Sequence, residues 1–340
     1  MLGKLEDSHR FRRFPNSHPR LSPPMNARTS LIVLFFFLCC RGTLQAQFKE
    51  GDPGGVELGE SSTQRWQVGV EVTAIGGPCS GLIGYIPIPV DWPEQTVRVV
   101  EEDISPEAKV SYQNVNNTVR LMVVRIGSLP GAQTARALVT QEIERRTMLP
   151  PEAPSRFVLP DPKRMDRAIR PYLGPSPLIE TRHPKIRAVA KQFAQQGETA
   201  WEKVEAIYDW VRDHVEYKNG PIKGALAALE DETGDCEELT SLFIAICRVN
   251  DIPARTVWVP GHCYPEFYLE DEEGKGHWFP CQAAGSREFG GITETRPILQ
   301  KGDDFRPPWN RRDRQRYLAE HLTGAGGRPQ CRFVRKLLSE

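Results

Sequence analysis

Eight prolines fall between residues 148 and 177, and across them the hydrophobic pattern changes from a period of about two residues to one of about 3.6. Proline lacks an N–H and fixes φ, so this density excludes a long helix or a central strand through the segment. Strands belong on one side of it and helices on the other. Upstream, residues 65–72 alternate so that Trp66, Val68, Val70 and Val72 share one face. Similar patterns cover residues 96–100, 110–112, 119–124 and 137–143, with Asn116-Asn117 supplying a turn. Repeated short strands predict a β-sandwich over residues 47–150, followed by a proline-rich linker over 151–180.

Downstream, Ile186, Val189, Ala190 and Phe193 line one face of a helix expected over residues 183–196, with Gly197 to end it. Thr199 and Glu202 have the spacing of a capping box, ahead of Trp201, Val204, Ile207, Val211 and Val215 at helical intervals. Together with strands further on, this predicts an α+β domain over residues 181–305, its helices packed on an antiparallel sheet. Residues 306–340 form a basic tail with nine Lys/Arg against three Asp/Glu, read as a solvated helix face that could also contact an anionic surface.

Over the 340 residues, 44 basic and 44 acidic side chains cancel, which argues against a nucleic-acid binder working through a net positive field. Residues 31–40 (LIVLFFFLCC) are too short to span a bilayer comfortably and read as the apolar part of a signal peptide. Met25 is then the expected start, with cleavage near Ala46, so that residues 1–46 form a leader. The expected product is exported, periplasmic or extracellular, with no stable membrane span. It keeps six cysteines: Cys79, Cys236, Cys247, Cys263, Cys281 and Cys331. Export permits disulfides, but six cysteines are too sparse to hold the fold in place of a core.

Gly234-Asp235-Cys236-Glu237-Glu238 precedes an apolar series, Leu239, Leu242, Phe243, Ile246 and Val249. A helix should begin beside Cys236, with Asp235 as N-cap and Glu238 completing a capping box, and end near Asn250. A cysteine there meets free N–H groups and the positive end of the helix dipole, which favour a thiolate. Cys247, inside the same helix, is read as inert core. Residues 254–259 and 262–268 read as strands, with a hairpin loop over 271–276. Pairing about residue 272 would set His262 opposite Gln282 and Cys263 opposite Cys281. The amide oxygen of Gln282 could then take a proton from one imidazole nitrogen and leave the other for Cys236. Two further readings of this hairpin are a Cys263–Cys281 disulfide and a metal site from His262, Cys263, His277 and Cys281.

The segments AIYDWVRDHVEY, GALAALEDETGDCEELTSLFIAICRVNDIPARTVWV, GHCYPEFYL and HWFP resemble the transglutaminase-like superfamily, over about a third of the chain. The resemblance implies a papain-like cysteine proteinase fold. It also implies Cys236 as nucleophile on an amide carbonyl and His262 as the acid/base. Where that family usually carries an Asp to orient the His, this chain has Gln282. Cys263-Tyr264 stands where a small residue and Trp are common. The expected function is thiol acyl transfer on an amide or peptide bond of a protein or peptide substrate. Neither cofactor nor metal is expected. Hydrolysis is preferred over amine cross-linking because no calcium-loop motif is present. The alternative is a catalytically inactive binding or scaffold protein with the same fold.

Overall fold

Strand β1, Glu57–Ile88, runs through the whole N-terminal region, and its alternation buries Trp66, Val68, Val70 and Val72. This computed structural model describes residues 55–339, so the expected leader lies outside the described residues. After β1 come β2 (Gln95–Ile104), β3 (Ala108–Val115), β4 (Val119–Leu129) and β5 (Thr134–Leu149). Asn116 and Asn117 take positive φ, 51° and 57°, in the tight turn between β3 and β4, a conformation that Asn tolerates better than most residues. Gly69 is required where β1 crosses β5, since a Cβ there would lie 2.1 Å from the Ala137 carbonyl oxygen.

The expected sandwich of separate sheets is not confirmed. These strands form one continuous, curled antiparallel sheet, because β1 serves both halves. Its first half pairs with β5 and its second half with β4. Gly76 and Gly77, at φ 74° and 130°, sit where the register breaks between the halves. Inward residues of both halves then share one core, Val68, Val70 and Val72 with Leu82, Ile86, Met122 and Val124.

After the proline-rich segment, which forms only short turns of 3-10 helix, come α1 (Pro184–Ala190), α2 (Ala200–His214) and β6 (Glu216–Tyr217). There follow α3 (Ala225–Asp231), β7 (Thr233–Gly234) and α4 (Cys236–Val249), then β8 (Ala254–Val259) and β9 (His262–Glu270). The last strands are β10 (Gly276–Pro280), β11 (Gln300–Lys301) and β12 (His321–Ser339). The first helix is shorter than its apolar pattern: α1 stops at Ala190 and a 3-10 turn carries the chain to Phe193. Gly197, at φ 76°, redirects the backbone into α2, whose capping box is the expected Thr199 and Glu202. A four-stranded antiparallel sheet, ordered β10-β9-β8-β11, backs α4.

The basic tail is not a helix face. Its last part is β12, hydrogen-bonded along β1 from Tyr85↔His321 to Arg65↔Ser339. A long free edge on β1 would be a template for aggregation, and β12 covers it. Pro329 is tolerated within β12 because that strand is itself an edge. The tail's first part packs inward, Leu318 joining Phe305 against Val115, Leu121 and Val123.

Buried ion pairs tie these layers together. Lys301 Nζ lies 2.7 Å from Glu94 on the segment before β2 and 2.9 Å from Glu266 on β9. Arg248, near the end of α4, donates to both Asp303 oxygens at 2.8 Å and to the Gly174 carbonyl at 2.9 Å, pinning the proline-rich segment to the helix. Both side chains are almost wholly buried, at 1% and 3% exposure. Removing one member leaves an uncompensated buried charge. Arg248→Met should therefore lower the unfolding free energy by about 3–5 kcal/mol in urea titrations followed by circular dichroism; an unchanged midpoint would contradict this account.

Candidate active site

The position of Cys236 is set by the turn before it. Glu216↔Thr233 and Tyr217↔Gly234 pair in parallel, fixing the approach to α4. At Gly234 a Cβ would come within 2.4 Å of the Glu238 Cβ, so only glycine lets the chain pass this close to the helix it is about to enter. The Asp235 carboxylate accepts from the Glu237 N–H at 2.8 Å, and Glu238 accepts from the Asp235 N–H at 3.1 Å. The expected capping box is thus formed, and Cys236 is the first residue of α4.

From the sheet, His262 enters as the first residue of β9, opposite Val259 across the Pro260-Gly261 turn. Gly261 takes the positive φ (70°) that this turn requires. Arg296 holds the turn by donating to the Pro260 carbonyl at 3.0 Å. The hairpin register differs from expectation by two residues: pairing runs from Gly276↔Glu270 to Pro280↔Glu266 and then stops. His262 is therefore not a ladder partner of Gln282. The two meet nonetheless, His262 Nε2 lying 2.8 Å from Gln282 Oε1, because the chain turns inward after β10. The Gln282 carbonyl accepts from the Tyr208 hydroxyl at 2.8 Å and Arg212 at 2.9 Å, so α2 clamps the backbone that presents the amide.

The same shift separates Cys263 from Cys281. Cys263 pairs with Trp258, Cys281 bridges Phe289, and both are free thiols, so the alternative reading of a disulfide between them is not realised. Nor do the four residues of the metal reading converge. His277 bonds Asp271 at 2.7 Å and Cys281 sits 3.9 Å from the Pro265 carbonyl, away from the cysteine of α4. Among the described residues no group of three or more His, Cys, Asp or Glu is arranged to hold a metal ion.

The Cys236 thiol is lowered to about 4. The largest cause is a hydrogen bond from the Cys263 side chain; burial opposes it, and the hydrogen bond and charge of His262 and the Cys263 N–H assist. The imidazole shows the converse. Burial depresses the His262 pKa, but hydrogen bonds with Cys236 and Gln282 outweigh it and leave the pKa raised. Both shifts favour the thiolate–imidazolium form of the pair over the neutral one. The neighbouring acids oppose the thiolate less than their number suggests. Burial pushes Glu237 up to about 7 despite Arg316, and pushes Asp235 up to about 6.

Above these groups opens a cleft of about 410 Å³. Cys236, His262, Tyr217 and Trp258 line it. Trp258 donates its N–H to the Gly302 carbonyl at 2.8 Å, and its ring meets that of Tyr317 edge to face at 5.2 Å. Arg316, Tyr317 and Arg335 of the C-terminal segment complete the wall, which no local sequence pattern signals. Their placement follows from β12 returning along β1.

Residues 187–283 match the family model of the transglutaminase-like superfamily. This segment is a transglutaminase-like domain. A solved structure titled "Putative Cysteine Protease", from Cytophaga hutchinsonii, superposes with a TM-score of 0.53 at 18% identity, over 81% of this chain and 92% of that one. The periplasmic domain of TgpA from Pseudomonas aeruginosa matches at 14% identity over 68% of this chain and 73% of its own, but its TM-score of 0.34 adds nothing to the assignment. No curated protein matches the chain. Among the described residues no helix is long and apolar enough to cross a membrane.

Within the transglutaminase-like domain, Gly234→Ala should displace the first turn of α4 and slow iodoacetamide labelling of Cys236. It should also destabilise by about 1–3 kcal/mol through overpacking. Gly220→Ala, where a Cβ meets nothing within 4 Å, is the control, and equal behaviour of the two variants would refute the close approach as the reason for glycine.

Proposed function

We propose that this chain is an exported thiol enzyme that transfers the acyl group of an amide or peptide bond, to water in preference to an amine. The observation carrying the reading is the convergence of three side chains. Cys236 and His262 line one cleft, and His262 Nε2 lies 2.8 Å from Gln282 Oε1. That contact commits Nε2–H to the amide and leaves Nδ1 for the sulfur.

In the proposed reaction the thiolate attacks the carbonyl carbon, forming a C–S bond and a tetrahedral oxyanion. First-turn N–H groups and the dipole of α4 favour that oxyanion. The imidazolium gives its Nδ1 proton to the leaving nitrogen as the C–N bond breaks, leaving a thioester. Water then attacks, its proton passing to His262, and release of the carboxylic acid restores the thiolate. Gln282 holds the ring orientation throughout without contributing a full charge. The open cleft suits an extended protein or peptide segment. The motif-based preference for hydrolysis and the leader at residues 31–40 are the grounds for the acceptor and for export.

Cys236→Ser should abolish peptide release from a mixed peptide pool and incorporation of a fluorescent primary amine, while preserving the circular-dichroism spectrum. Equal turnover by wild type and variant would refute the nucleophile. New peptide termini mark hydrolysis and amine incorporation marks transamidation. A wild type that does neither, and whose Cys236 labelling is unmoved by His262→Ala, is the scaffold. Activity should rise with pH as Cys236 ionises near 4 and fall where the imidazolium deprotonates, above the ordinary histidine value. Gln282→Glu puts a carboxylate beside Nε2, which favours imidazolium and should move the falling limb to higher pH; a limb that stays in place would show that this side chain does not govern the ring.

A further inference from the structure

A second cavity, of about 590 Å³, opens between the β3–β4 turn, the proline-rich segment and the chain leaving β11, and shares no lining residue with the cleft at Cys236. Ile169, Pro171 and Tyr172 give it an apolar side. Its acids are already committed, Asp303 to Arg248 at 2.8 Å and Asp304 to Arg314 at 2.7 Å. Its cations are less well matched. Arg306 is exposed, and its hydrogen bond among the described residues goes to the Arg311 carbonyl at 3.4 Å rather than to a carboxylate. Arg255 also lines the cavity, its guanidinium carbon 5.4 Å from the centre of the Tyr172 ring and 5.9 Å from that of Trp92. The buried cluster to which it belongs holds three cations, Arg145, Arg255 and Lys301, and two carboxylates, Glu94 and Glu266, none more than 7% exposed. Arg145 donates to the carbonyls of Glu94 and Arg146 and to the Tyr264 hydroxyl, all uncharged groups. One buried positive charge is thus left in excess, where buried charges are ordinarily paired. Two polar atoms of lining residues, Trp92 Nε1 and Thr118 Oγ1, are also buried without a hydrogen-bond partner. Such groups are rare in folded proteins, and each calls for an explanation.

We propose that this cavity is a second ligand site, for a small organic carboxylate with an apolar body. Its size falls within the range of about 300–1,000 Å³ usual for small-molecule sites. A carboxylate supplies the two things the cavity lacks: a negative charge to balance the excess, and lone pairs for the free donors of Arg306 and for the Thr118 hydroxyl. The hydroxyl is sealed from water as the structure stands, so a turn of Thr118 about χ1 is what brings it out of the wall. Tyr172, Ile169 and Pro171 then meet the apolar body, a surface that a bare inorganic anion would leave uncovered. A cation is repelled by Arg255 and Arg306, and a neutral apolar molecule leaves both the charge and the unpaired polar atoms as they are. Nothing in this assignment depends on Cys236 being a nucleophile.

The test is calorimetric titration of the full-length protein with hydrocinnamate, with hydrocinnamyl alcohol as the uncharged control. Saturable binding of the acid is expected, about tenfold tighter than the alcohol. Arg306→Gln should weaken the acid about tenfold and leave the alcohol unmoved. Thr118→Val keeps the shape and removes the unpaired hydroxyl. It should raise the thermal midpoint of the unliganded protein and yet weaken the acid, a combination that a merely structural threonine would not give. Prior alkylation of Cys236 with iodoacetamide blocks the catalytic cleft and should leave the affinity unchanged. A tetrapeptide ending in phenylalanine, titrated into the alkylated protein so that it is not cut, tells a chain terminus from a free acid: binding tighter than hydrocinnamate identifies the terminus as the source, weaker binding the free acid. The proposal is overturned if the acid gives no saturable heat at millimolar concentration, if acid and alcohol bind alike, or if Arg306→Gln leaves the acid's affinity where it was. Loss of binding on alkylation would place the acid in the catalytic cleft and overturn the second site, whatever becomes of the nucleophile reading.

Discussion

The burial of α4 against β9 is the contact on which the rest of this molecule depends. Leu242, Phe243, Ile244, Ala245, Ile246 and Cys247 are fully buried, and Phe243 faces Phe267 of β9 at a ring separation of 6.5 Å. At about 25 cal/mol per Å² of apolar surface, Leu242, Phe243, Ile244 and Ile246 each contribute about 1.5–3 kcal/mol, more than a typical neutral hydrogen bond. Two rigid elements locked in this way have their first residues fixed relative to one another. The sulfur of Cys236 and the ring of His262 meet because helix and strand begin at the same end of that packed interface. The placement of this pair derives from core packing.

The buried charges serve a different purpose. Glu266 and Lys301 belong to the sheet behind α4, and Glu94 comes from the N-terminal region. Arg145 of β5 adds a hydrogen bond to the Tyr264 hydroxyl at 3.1 Å, two residues from His262. Such networks contribute little net stability compared with apolar packing, but they are unforgiving of misplacement, because any other arrangement leaves a charge unpaired in low dielectric. They therefore specify how the curled sheet docks on the strand that carries the histidine. The same docking returns β12 along β1 and brings Arg316 and Tyr317 to the cleft.

How much could be read from the sequence follows from which interactions are local. The α4 cap was legible because Asp235, Cys236 and Glu238 lie within a single turn and their geometry is dictated by the backbone. The α2 cap and the alternation of β1 were legible for the same reason. The hairpin register was not, because nothing local fixes the Asp271–Gly276 turn: it depends on Asp271 accepting from Lys275 and His277, a choice made in three dimensions. The His262–Gln282 contact survived that error only because Gln282 lies beyond the end of the ladder, where the Tyr208 and Arg212 clamp decides its position. The Cys263–Cys281 pairing had no such rescue. The curled sheet and the course of the tail were not legible for a shared reason: a strand serving two halves of a sheet, and an edge covered by residues far along the chain, leave no trace in short windows of sequence.

Gln282 decides how the pair is supported from the histidine side. A carboxylate beside the imidazole would stabilise the resting ion pair from the histidine side by supplying a charge. A neutral amide orients the ring but leaves the imidazolium with less support. In this chain the Gln282 oxygen, 2.8 Å from His262 Nε2, takes a hydrogen bond without supplying charge, so what favours the ion pair has to come from the sulfur side, where the first turn of α4 directs its N–H groups and dipole toward Cys236.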